Sequence, residues 1–220
     1  MALSRRALLK RIGVAGSAAV VPVPVASPSV HDHAEVQAQA PAPAPAAREA
    51  FETLTAAESD VLEALTARLI PSDTNGPGAK EARAAHYIDR ALGGPLASFR
   101  GNYTTGLAAV DAYARSKKGA AFAQLTAADQ DAVLGDMQGG GAFPGSSIFF
   151  ALMRSHTIEG TFSDPYYGGN ANFIGWDLIG YPGVRTSVTA AEQQMNAKIA
   201  PNHRSAYDFA MFRKGATDGR

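Results

Sequence analysis

The sequence predicts an all-α protein, a small helical bundle that carries a long, irregular, glycine- and aromatic-rich loop toward its C-terminus. Three observations predict it. Apolar residues recur at steps of three and four in several stretches. Three segments open with a threonine followed three residues later by a carboxylate, the signature of a helix N-terminus. No strand-like alternation of useful length occurs. The 220 residues are enough for one ordinary domain and an appendage.

The first helix starts at Leu54-Thr55-Ala56-Ala57-Glu58, shows the stripe Val61, Leu62, Leu65 and Leu69, and ends at Pro71 and the polar run 72–76. A second is expected over 80–92, stopped by Gly93-Gly94-Pro95. Leu96, Phe99, Tyr103, Leu107, Val110 and Tyr113 recur at helical steps and predict a longer third helix despite Gly101 and Gly106. Leu125-Thr126-Ala127-Ala128-Asp129 opens a fourth over 126–137, and a fifth is expected over 146–156. Val188-Thr189-Ala190-Ala191-Glu192 opens a sixth over 189–199. The capped openings lie about 71 and 63 residues apart, too far and too unequal for a solenoid repeat.

The front of the chain is an address. Arg5 and Arg6, followed by a modest apolar run diluted with glycine and proline, resemble a twin-arginine export signal over residues 1–38. The run is shorter than the roughly 20 apolar residues a membrane span needs, so it reads as a removed leader. Cleavage near Val25-Ala26 or near Ala38 fits the small residues there. Residues 39–50 form an alanine- and proline-rich linker, whose alternating run over 40–46 is a spacer that favours extended polyproline II. The helical body then spans 51–220. His31-Asp32-His33 reads as a solvated accident within the leader region rather than a metal site.

Composition excludes several chemistries. The chain has no cysteine, which removes disulfides, thiolate metal sites, iron-sulfur clusters and covalent haem attachment. It has 20 basic and 20 acidic side chains, and residues 1–40 take four of the former and two of the latter, leaving the remainder at net −2. No basic footprint for nucleic acid exists. Gly139-Gly140-Gly141 follows a helix rather than a strand, so it is no dinucleotide loop, and Pro144-Gly145-Ser146-Ser147 is no nucleophile elbow. A catalytic or metal-binding trio of His156, Glu159 and Asp164 can be drawn, which keeps an autonomous periplasmic, hydrolase-like enzyme as an alternative. The other reading of these three is hydrogen bonding that fixes the loop to the fifth helix.

Residues 135–183 hold 11 of the 22 glycines, and 143–181 hold nine of the 18 aromatic residues. Between 160 and 187 neither helical nor strand period is visible, yet the stretch is too apolar to be left in water. An ordered, glycine-hinged aromatic loop is the expected form, and an interface its expected use. Trp176 has two readings, ordinary core or interface anchor, of which the bracketing glycines favour the second.

Within this loop His156-Thr157-Ile158-Glu159-Gly160, Asp164-Pro165-Tyr166-Tyr167-Gly168-Gly169-Asn170 and Gly175-Trp176-Asp177-Leu178-Ile179-Gly180-Tyr181-Pro182-Gly183 resemble the C-terminal pattern of the gluconate 2-dehydrogenase subunit 3 family. The likeness extends more loosely to the first helix and Leu69-Ile70-Pro71. A basic residue is expected after the Gly-Gly-Asn turn, where Ala171 stands. The resemblance implies a small, non-catalytic subunit and export escort of a periplasmic, membrane-associated dehydrogenase that oxidises a sugar, sugar acid or polyol. It implies no cofactor in this chain, FAD in a large partner subunit and haem c in a further cytochrome subunit, with the twin-arginine translocase as a transient partner. The residues expected to meet the partner are His156, Glu159, Asp164, Tyr167, Gly168, Gly169, Asn170, Trp176, Tyr181 and Pro182.

Overall fold

In the computed structural model, which describes residues 49–213, the chain folds into six α-helices, and no strand occurs among those residues. Arg5, Arg6, the whole export signal and the linker up to residue 48 lie outside the described residues. The helices are α1 (Ala56–Leu69), α2 (Ala84–Leu92), α3 (Arg100–Lys118), α4 (Ala127–Gln138), α5 (Ser146–Phe162) and the short α6 (Ile174–Ile179). None of them is long and apolar enough to cross a membrane.

Two of the three expected threonine caps start helices. Thr55 accepts from the Glu58 N–H while the Glu58 carboxylate accepts from the Thr55 N–H at 2.9 Å, a complete capping box at the head of α1. Thr126 accepts from the Asp129 N–H and opens α4. The third cap also forms, with the Thr189 N–H donating to Glu192 at 2.8 Å, but the helix expected over 189–199 does not form. Residues 190–196 make isolated turns, and Asn196 takes a left-handed φ of 69°. Val188 and Met195 are exposed, so the apolar residues of this segment have no surface in the chain to bury against, and a cap without tertiary packing does not carry the cost of helix nucleation.

Other boundaries shift for local reasons. α2 begins at Ala84 rather than at Lys80, because Arg83 sits at its N-cap in the left-handed region, φ 60°. α3 is preceded by a 3-10 turn over Ala97–Phe99. α5 runs past His156 to Phe162, which takes the opening of the supposedly irregular stretch into a helix. The remainder of 160–187 is not featureless either, since it contains α6 and two 3-10 turns before it.

α5 is the central helix and packs on α1, α2, α3, α4 and α6. Leu62 and Leu65 from α1, Ile88 and Leu92 from α2, Leu107 and Val110 from α3, Val133 and Met137 from α4, and Met153 from α5 close the core with Phe122. Each fully buried side chain of this size contributes about 1.5–3 kcal/mol relative to exposure. α5 also buries Thr157 and Thr161, whose hydroxyls donate to the Met153 and Thr157 carbonyls one turn back, at 2.7 Å each. The chain entering the body is clasped by Asp89 of α2. This buried carboxylate accepts the N–H groups of Glu52, Thr53 and Leu54 at 2.6, 3.0 and 2.7 Å.

Candidate functional site

The aromatic segment is built outward from the end of α5. Ser163 ends that helix, and Asp164 accepts from the Tyr166 N–H at 3.0 Å to start the 3-10 turn Pro165–Tyr167. Gly168 then turns the chain with φ 95°. Asn170 fastens the stretch beyond it. This residue is fully buried and left-handed, its N–H donates to the Gly160 carbonyl at 2.8 Å, and its side-chain amide donates to the Ser163 carbonyl at 2.8 Å. Its side-chain oxygen accepts from the Gly175 N–H at 2.8 Å, inside the first turn of α6. One asparagine thus joins α5, the turn and α6.

The glycines serve this closure more than hinging. A methyl group at Gly169 would stand 2.0 Å from the Gly160 carbonyl oxygen, and one at Gly175 would stand 1.8 Å from that of Thr161. No side chain fits between these backbones, so the segment lies directly on the last turns of α5.

Trp176 is placed by that seating. It is 5% exposed, and its indole N–H donates to the Phe162 carbonyl at 2.9 Å. Phe173 and Tyr181 pack on it, with ring centroids 5.3 and 4.8 Å away. Its own chain covers it, so in this structure Trp176 holds α6 in place as core, not as the outward anchor that its bracketing glycines suggest. His156 is buried as well. Its Nδ1 lies 2.9 Å from the Tyr103 hydroxyl, and burial pushes its imidazole below the usual 6.5 while pushing the Tyr103 phenol up.

Glu159 is exposed and accepts from the Tyr87 hydroxyl at 3.3 Å; burial, followed by this carboxylate, pushes the Tyr87 phenol up to about 12. Asp164 accepts from the Ser205 hydroxyl at 2.6 Å and the Ala206 N–H at 2.8 Å. The drawn trio of His156, Glu159 and Asp164 is therefore engaged in three separate places, each fixing one element to another. Among the described residues no group of three or more histidines and carboxylates is placed to hold a metal ion.

The side chains that the segment presents to solvent are different. Tyr166 is 52% and Ile179 60% exposed, and Tyr167, Leu178 and Tyr181 are exposed beside them in sequence. Pro182 is half-buried, and its carbonyl accepts from the Asn202 N–H at 3.0 Å. Tyr166 stacks on Tyr207 with centroids 3.7 Å apart, while the Tyr167 and Tyr207 hydroxyls lie 2.9 Å apart. Gly168 is half-buried and Gly169 buried, so of the residues expected to meet a partner, Glu159, Tyr167 and Tyr181 are exposed, and His156, Gly169, Asn170 and Trp176 are buried. Tyr166, Leu178 and Ile179 were missed as outward groups. With Trp176 turned inward, Leu178 two positions on is rotated by about 200° to the far side of α6, whereas Ile179, three positions on, is exposed as the last residue of the helix.

A family model described as gluconate 2-dehydrogenase subunit 3 matches residues 56–183, from the first turn of α1 to the glycine that ends the aromatic segment. No curated protein and no solved structure matches the chain. The matched span covers more than half of the sequence and contains all six helices together with the Asn170 closure, and so the chain belongs to the gluconate 2-dehydrogenase subunit 3 family.

Proposed function

We propose that this protein is the small, non-catalytic subunit of a periplasmic FAD-dependent dehydrogenase complex that oxidises a sugar, sugar acid or polyol, and that it escorts the large subunit during export. FAD belongs to the large subunit and haem c to a cytochrome subunit. The complex is held peripherally at the membrane. Arg5 and Arg6 address the twin-arginine translocase, a route suited to a protein that crosses already folded and with a partner attached.

The observation that carries this reading is the exposure of Tyr166, Tyr167, Ile179 and Tyr181 on a backbone fastened from beneath by Asn170 and Trp176. A rigid support with outward aromatic and aliphatic side chains is the anatomy of a docking surface. Membership of a family named for a dehydrogenase subunit supports the same conclusion. The engagement of His156, Glu159 and Asp164 in three separate structural contacts removes the motive for an autonomous hydrolase.

Co-expression with a leaderless large flavoprotein subunit tests the proposal. A stable, yellow, exported complex is expected, with the small chain alone colourless and inactive. Substrate turnover by the isolated chain would overturn it. Changing Arg5 and Arg6 to lysine is expected to strand both subunits in the cytoplasm, and continued export of the flavoprotein would refute the escort role.

A further inference from the structure

Residues 184–213 begin where the family match ends, at 183, and they are built unlike the rest of the described chain. Apart from the 3-10 turns Ala206–Asp208 and Ala210–Phe212 they hold no helix, and Ser205 is the one buried residue among them. Met195 is 92% and Met211 71% exposed, and Val188 and Phe212 are exposed too. Ordering a backbone costs entropy at every residue, and a folded segment ordinarily offsets that by removing its own apolar surface from water. This one leaves that surface outside.

The segment nevertheless has a definite shape. Arg185 donates to Glu192 at 2.8 Å and to the Ala200 carbonyl at 2.6 Å, closing the excursion 185–200 on itself. The Asn202 amide donates to the Val184 carbonyl at 2.8 Å. The arm is hung on the body by Asp164, which takes the Ser205 hydroxyl and Ala206 N–H, by the His203–Asp177 contact at 2.7 Å and by the Tyr166–Tyr207 stack. These are the same loops that present the proposed docking side chains. A cleft of about 870 Å³ opens at this junction, lined by Tyr166, Phe173, Tyr207 and Phe212.

Charge separates arm from body. Residues 49–183 carry nine basic and fifteen acidic side chains, net −6, whereas residues 184–213 carry four basic and two acidic, net +2. Lys198, Arg204 and Arg213 of the arm are exposed.

We infer that residues 184–213 are an arm that lies along the large subunit of the dehydrogenase, pressing Val188, Met195, Met211 and Phe212 onto an apolar surface with an acidic rim. The inference rests on the subunit reading above and extends the interface beyond the region shared with the family. Its continuity with Tyr166 and Tyr207, and the sign of its charge, select a folded, acidic-rimmed protein surface as the occupant. Residues outside the family match that add such contacts are suited to choosing one large subunit over related ones.

The test is hydrogen–deuterium exchange on the full chain, alone and in its copurified complex with the large subunit, together with the variants Met195→Asp and Phe212→Asp. Exchange over 185–199 and 209–213 is expected to slow at least about tenfold on complex formation. Each variant is expected to weaken association about tenfold or more while leaving the melting temperature of the isolated chain unchanged. A complex that forms with unchanged exchange in the arm, and that tolerates both variants, overturns the inference while leaving the subunit reading intact. Protection of the arm already present in the isolated chain at twice the monomer mass assigns it to self-association, and protection produced by anionic lipid vesicles without the large subunit assigns it to a membrane. Either result also overturns the inference. Failure to form any complex removes the subunit reading and this inference with it.

Discussion

Replacing Glu58 with glutamine isolates one charged contact at the head of the bundle. The two Glu58 carboxylate oxygens accept from the two terminal nitrogens of Arg100, at 2.9 Å each, tying α1 to the start of α3. Burial opposes the charged form, but the Arg100 guanidinium together with the Thr55 N–H and hydroxyl outweighs it and holds the carboxyl down at about 2 instead of 4.5. A depressed carboxyl favours the fold in full above its unfolded value. That contribution is lost as pH falls from about 4.5 through about 2. The gap corresponds to about 3 kcal/mol. Glutamine can still accept from the Thr55 N–H, so the capping box survives and the loss near neutral pH is expected to be about 2–3 kcal/mol. Urea titrations followed by circular dichroism, run on both proteins from neutral pH down to about pH 3, read it directly. The difference between wild type and variant is expected to shrink as the solution is acidified. A difference that stays constant with pH, or one below about 0.5 kcal/mol near neutrality, would refute the assignment.

The aromatic segment yields three further expected outcomes. Gly175→Ala places a methyl 1.8 Å from the Thr161 carbonyl oxygen and is expected to cost about 3 kcal/mol or more, as seen in the urea midpoint; a variant as stable as wild type would show that α6 does not rest on α5. Trp176→Phe keeps a ring but loses the indole donation to Phe162, for an expected loss of about 1–2 kcal/mol in the stability of the isolated chain. An unchanged melting curve with weakened partner binding would restore Trp176 to the interface. Ile179→Asp is expected to leave the isolated chain's melting temperature within about a degree or two and to weaken capture of the large subunit roughly tenfold or more; equal capture would move the docking surface away from α6.

The bundle was legible wherever its cause is local. Thr55 and Thr126 cap by contacts three residues away, and the stripes of α1 and α3 need only helical periodicity. Thr189 shows the limit, since its cap forms and its helix does not, because propagation depends on a burial partner that no local pattern reports. The Asp89 clasp was not legible at all: its three donors lie 35–37 residues away in sequence. α6 escaped notice for a related reason. Its six residues are too few to display a period, and it is held by the Asn170 side chain and by a helix that runs farther than its apolar pattern suggested. The same extension of α5 decides Trp176, whose acceptor is the carbonyl of Phe162, the last residue of that helix.

The seating of Gly169 and Gly175 on carbonyls of α5 makes the outward face conditional on the helix beneath it. Those carbonyls stand in position only when the final turns of α5 are wound, and α5 packs against four helices besides α6. The outward tyrosines and Ile179 therefore hold their register only in a molecule whose α5 is complete, as a badge displayed by a finished interior. A half-made molecule has nothing to offer a companion.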